Sequence, residues 1–99
     1  MSLPTDIEKR IRSDAKDQAD ELVRRVDAFA AKHPDFGERV LRCVVFVAQG
    51  KLDQLESAMQ LAELDWRDVI VAAEYVPKPG TKRSLGDYVQ VRDMNRPFD

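Results

Sequence analysis

The stretch from Gly50 to Val76 constrains the fold of this chain more than any other. Gly50 is a helix-stop residue, free to take the left-handed conformation that closes a helix. Leu52, Leu55, Met59 and Ala62 follow at helical spacing, with Asp53, Gln54, Glu56 and Gln60 on the opposite face, which predicts a surface helix over 52–64. Leu61 and Leu64 widen its stripe. Asp65 then has the chemistry of an N-cap, and Leu64 and Val69 occupy the two positions of a hydrophobic staple. Trp66, Val69, Ile70 and Ala73 form an i, i+3, i+4, i+7 stripe. With Val71, Ala72 and Val76 they predict a helix over 66–76 that neighbours cover on more than one side.

The same grammar extends towards the N-terminus. Thr5-Asp6-Ile7-Glu8 reads as a capping box opening a helix over 5–32, whose apolar line runs Ile7, Ile11, Ala15, Ala19, Leu22, Val26 and Phe29. That repeat averages about 3.67 residues, which favours a helix lying on a core over a left-handed coiled coil. A straight helix of this length would be about 42 Å long, against a diameter of roughly 32 Å for a domain of this size. It is therefore expected to break, overhang or pack on another subunit, with Ser13-Asp14 as the expected break because both side chains compete for backbone hydrogen bonds. His33-Pro34 ends it. Asp35, with Glu38 three residues on, is the expected cap of a helix over 36–49. The run Val40 to Ala48 makes that helix apolar almost all round, apart from Arg42, and so central. Its β-branched content also suits a buried strand over Arg42–Val47; the cap and the stop at Gly50 favour helix.

The expected architecture is thus all-α: a small bundle of four main helices in residues 1–76, followed by an irregular tail over 77–99. Pro77-Lys78-Pro79-Gly80 stops helical structure. Leu85 to Val91 alternates weakly and fits a short strand, a docked segment or disorder.

Ninety-nine residues, 43% hydrophobic and 34% charged with a formal net charge of −2, describe one globular domain with no general attraction to nucleic acid or anionic membrane. No apolar run approaches the roughly 18 residues needed to span a bilayer, no signal-peptide pattern opens the chain, and one cysteine excludes an internal disulfide framework. These features point to the cytoplasm.

No catalytic constellation emerges. Cys43 lies within the most apolar helix, the setting of a packing cysteine. The single histidine, His33, sits at a helix end. One cysteine and one histidine do not make a structural zinc site, and no phosphate loop or dinucleotide fingerprint is present, so no metal or cofactor is expected. Asp53, Glu56, Glu63, Asp65, Asp68 and Glu74 read as a solvated acidic face with capping aspartates, or as a docking face for a basic partner.

What remains is association. An overlong first helix and very apolar second and fourth helices suggest more apolar surface than one small bundle hides. The interface candidates are Ile7 and Ile11 on the first helix, Trp66, Ile70 and Tyr75 on the fourth, and Tyr88 in the tail. The expected function is that of a small non-enzymatic interaction protein, a homodimer or the binder of a protein partner. The alternative is a DNA-binding regulator using the helix pair 52–76 as a helix-turn-helix, with Lys78, Lys82, Arg83, Arg92 and Arg96 as a basic arm. Against it, the second helix of that pair carries only Arg67 as a base.

The segment Asp65-Trp66-Arg67-Asp68-Val69-Ile70-Val71-Ala72-Ala73-Glu74-Tyr75, preceded by Gly50-Lys51-Leu52-Asp53-Gln54-Leu55, resembles a pattern in small uncharacterised bacterial helical proteins. It covers about a quarter of the chain. It also faintly resembles the helix pairs of solenoid proteins, although the Thr-Pro-Leu-His signature of ankyrin units is absent. The resemblance implies paired helices and no particular activity.

Overall fold

The structure is a computed structural model that describes residues 3–77 and 88–98. Within these residues the chain forms α1 (Thr5–Ala15), α2 (Ala19–Lys32), α3 (Glu38–Ala48), α4 (Leu52–Leu64) and α5 (Trp66–Glu74). Two short strands follow, β1 (Tyr75–Pro77) and β2 (Tyr88–Gln90), paired antiparallel with Tyr75 opposite Gln90, Val76 opposite Val89 and Pro77 opposite Tyr88. The fold is all-α apart from this small ladder. Residues 40–48 are helix, not strand.

The long first helix breaks, but two residues later than Ser13-Asp14. Asp14 accepts a hydrogen bond from Arg10 Nε at 2.8 Å, an i, i+4 pair that reinforces the helix where competition was expected to end it. The break comes at Lys16, which adopts φ +52°, followed by a single 3₁₀ turn over Lys16–Gln18. The turn after α3 sits against this point, with Gly50 packed on the backbone of Asp14 and Ala15 at the end of α1. The break lets α2 pack against α1.

Two expected caps are absent and one is present. Pro4, not Thr5, is the N-cap of α1, and its carbonyl accepts the Ile7 and Glu8 amides at 3.1 Å each. Thr5 already lies inside the helix, and Glu8 pairs with Arg12 instead. Helix α3 starts at Glu38 behind Gly37, so Asp35 lies in the preceding turn and caps nothing. Asp65 does cap α5, its Oδ1 accepting the Arg67 amide at 3.0 Å. The Leu64–Val69 staple does not form: Leu64 is 85% exposed while Val69 is fully buried.

Helix α3 is central, packed by α1, α2, α4 and α5. Val40, Leu41, Cys43, Val44, Val45 and Ala48 are buried, together with Ile7, Ile11, Leu22, Val26 and Phe29 from the first two helices and Leu55, Ala58, Ala62, Val69, Ile70 and Ala73 from the last two. Each large aliphatic group so buried contributes about 1.5–3 kcal/mol.

The last helix ends at Glu74 rather than at Val76. Tyr75–Pro77 turn extended because the C-terminal segment offers backbone partners: the Val91 and Arg92 amides donate to the Glu74 carbonyl at 2.7 and 3.4 Å. Residues 91–98 continue across the helices and bury Met94. Of the expected helix stop Pro77-Lys78-Pro79-Gly80, Pro77 ends β1, while its other residues and the basic residues Lys82 and Arg83 lie outside the described residues.

Candidate interaction groove

Four of the six interface candidates converge. Capping by Asp65 sets the first turn of α5 and places Trp66 at its first position, 46% exposed. One turn on, Ile70 lies beneath it, and Tyr75 follows at the start of β1. The pairing of β2 with β1 adds Tyr88 from the far end of the chain. With Val71, Arg67 and Arg39 these residues line a groove of about 340 Å³. A second hollow of about 340 Å³ lies on the other side of the Trp66–Ile70–Arg39 ridge, walled by Asp35, Phe36, Gly37 and Val40.

Ile7 and Ile11 are not part of this surface. Ile7 has no exposure and Ile11 only 2%. The break at Lys16 folds the first helix onto its own domain, so the apolar groups that an overhang would have left open are enclosed.

The cations of the groove are held from behind. Arg67 folds back onto Asp65, with Nε 3.1 Å from Oδ1. Arg39 donates through Nε and Nη2 to the two oxygens of Glu74 at 2.8 and 2.7 Å, a bidentate pair. Glu74 is wholly buried and also accepts from Gln90 Nε2 at 2.7 Å and from the Met94 amide at 3.2 Å. Burial is the largest single influence on this carboxyl and favours its neutral form. The hydrogen bonds from Arg39, Gln90 and Met94 together outweigh it and hold Glu74 below the usual carboxylate range.

A second buried charge lies nearby. Arg42 donates to Asp6 at 2.9 Å, to Glu38 at 2.8 Å and to the Met94 carbonyl at 3.2 Å. The bond from Arg42, aided by the Phe98 amide, keeps Asp6 ionised below its ordinary range. Glu74 does not belong to the solvated acidic face to which pattern reading assigns it, and Arg42, the polar exception on the central helix, is buried as well. The available signal was their isolation: Arg42 is the one charge between Val40 and Ala48, and Glu74 the one charge between Val69 and Val76.

Cys43 is buried with its Sγ 3.9 Å from Glu74, and desolvation pushes its thiol up to about 12. His33 is placed elsewhere, against Glu63 at 2.6 Å and stacked on Phe36. The bond from His33, with one from Lys32, lowers the Glu63 pKa. Glu56 pairs with Arg25 across an open hollow of about 480 Å³ between α2 and α4. The acidic face of α4 is thus largely matched by cations of α2. Among the described residues no three metal-ligating side chains cluster, and no helix is long and apolar enough to cross a membrane.

The groove therefore presents an indole, two phenols, aliphatic surface and two partnered guanidiniums, the chemistry of contact surfaces. Compared with known proteins, the chain matches no protein family, no curated protein and no solved structure.

Proposed function

We propose that this chain is a non-catalytic interaction protein that forms a homodimer through the Trp66 groove. The observation that carries this reading is Leu64. It is 85% exposed at the corner between α4 and α5, two residues from Trp66 at 46%. A leucine this open contributes almost nothing to the fold, and it precedes by two residues Trp66, which lines the groove with Ile70, Tyr75 and Tyr88. A protruding apolar group close in the chain to an apolar hollow offers the two complementary parts that a two-fold axis would join. Leu64 of each copy then enters the groove of the other. Burying Trp66 and Leu64 together supplies the aromatic and aliphatic anchor on which interfaces depend.

The DNA-binding alternative gains no comparable support. Arg67 is engaged by Asp65, and Arg92 bonds the Ala73 carbonyl while lying over the Phe46 ring.

Sedimentation equilibrium at micromolar concentration tests the proposal. The wild type is expected to be dimeric, and Leu64→Ser to be monomeric with unchanged helicity. A wild type that stays monomeric up to ~100 µM, a concentration at which even an affinity of about −5.5 kcal/mol would show, rejects it. So does a dimer indifferent to Leu64→Ser. Binding to random duplex DNA at ~50 mM salt, where phosphate contacts are strong, would favour the alternative.

A further inference from the structure

The C-terminal segment is bound to the helices in a different way from the helices to one another. Among residues 88–98 only Met94 is buried; Tyr88 and Phe98 are half-buried and the rest are exposed. The segment is held instead by polar bonds. Gln90 and the Met94 amide donate to Glu74, the Val91 and Arg92 amides to the Glu74 carbonyl, Arg92 to the Ala73 carbonyl at 2.6 Å, and the Phe98 amide to Asp6 at 3.0 Å. Arg42 donates back to the carbonyls of Met94 and Asn95.

Departure of the segment would strand neither buried charge. Glu74 keeps its bidentate partner Arg39, and Arg42 keeps Asp6 and Glu38, all on the helices. The bonds that would break join groups that water then reaches and satisfies. Opening thus avoids the penalty of an unpaired buried charge, which is what makes most buried ion networks inseparable. A segment with one buried apolar group, Met94, a half-buried Phe98 against the core, and many water-replaceable bonds belongs to the low-stability end of a fold.

We infer that residues 88–98 are a latch that docks on and leaves the folded helices as a unit, and that docking completes the Trp66 groove by supplying Tyr88. The second half of this inference rests on the dimerisation reading; the first half does not. Opening removes one wall of the groove and uncovers Glu74, behind which Cys43 lies.

The test is native-state hydrogen exchange at the Val91, Arg92 and Met94 amides of the full chain, which donate to Glu74, measured in urea below the unfolding transition. If the latch opens separately, these amides exchange together, faster than global unfolding by circular dichroism predicts, and depend on urea only weakly, because little surface is exposed. Met94→Ala then raises their rate roughly thirtyfold or more. Val69→Ala, in the helical core, lowers the global midpoint but leaves their low-urea rate unchanged. Exchange at these amides that follows global unfolding with the same urea slope overturns the latch, whatever the variants do. A separate opening combined with a strictly monomeric wild type keeps the latch and removes the dimer. Loss of the dimer in Leu64→Ser, combined with exchange tied to global unfolding, does the reverse.

Discussion

A Cβ added to Gly50 would lie 2.3 Å from the carbonyl oxygen of Asp14 and 2.8 Å from the amide nitrogen of Ala15. Gly50 also holds φ at +77°, a conformation costly to any residue with a side chain. Backbone atoms of α1 cannot yield as the end of a flexible side chain would. Gly50→Ala is therefore expected to destabilise the protein by roughly 3 kcal/mol, in the upper range of single substitutions. Gly37 is the control: its φ is −71° and nothing lies within 4 Å of an added Cβ, so Gly37→Ala should change stability by less than about 1 kcal/mol. Urea unfolding of both variants checks the contrast.

The two capping motifs make a second paired prediction. Asp65 accepts the Arg67 amide, so Asp65→Ala should cost about 1 kcal/mol. Thr5 heads an equally good sequence pattern but makes no cap bond, so Thr5→Ala should stay within about 0.5 kcal/mol. Equal losses in thermal or urea denaturation would show that the hydroxyl caps α1 after all.

Periodicity and end signals carried most of the helical layout. The stripe Ile7 to Phe29, the Val40–Ala48 run and the caps at Gly50 and Asp65 each act through neighbours within one or two turns, and such signals survive in a linear text. What escaped depended on partners far along the chain. The break at Lys16 lies against Gly50; the early end of α5 meets Val91 and Arg92; the buried Glu74 is met by Arg39, Gln90 and Met94. The groove was legible only as separate candidates. Trp66, Ile70 and Tyr75 share one element by spacing, but the pairing of Pro77 with Tyr88 closes it. Ile7 and Ile11 were misplaced for the same reason, because nothing local shows that the helix folds back.

Acid should weaken the tie between the two ends of the chain. Asp6 joins Arg42 to the Phe98 amide, and its folded pKa is lowered. A lowered carboxyl pKa contributes stability that is present above the unfolded value near 3.9 and is lost as pH falls through the folded value. Asp6→Asn should cost about 2 kcal/mol at neutral pH, the worth of hydrogen bonds to a charged group. The gap to wild type should narrow steadily below about pH 4. A gap independent of pH would mean that the carboxylate charge plays no part.

Glu74 should show the same sign with a different target. Arg39 and the Cys43 thiol face it from α3, and Gln90 and the Met94 amide face it from the C-terminal segment. Its folded pKa is lowered, so its contribution is complete above the unfolded value near 4.3 and fades as pH drops through the folded one. Glu74→Gln preserves shape but replaces one acceptor oxygen with a donor, and because each oxygen accepts one bond from Arg39 and one from the C-terminal segment, the amide opposes a donor of both. A loss of about 2–3 kcal/mol at pH 7 is expected. Hydrogen exchange should register it first at the Met94 amide, which donates to the carboxylate, and only later at the amides of α3. If α3 and Met94 lost protection together, Glu74 would be holding the helices to one another rather than the C-terminal segment to the helices.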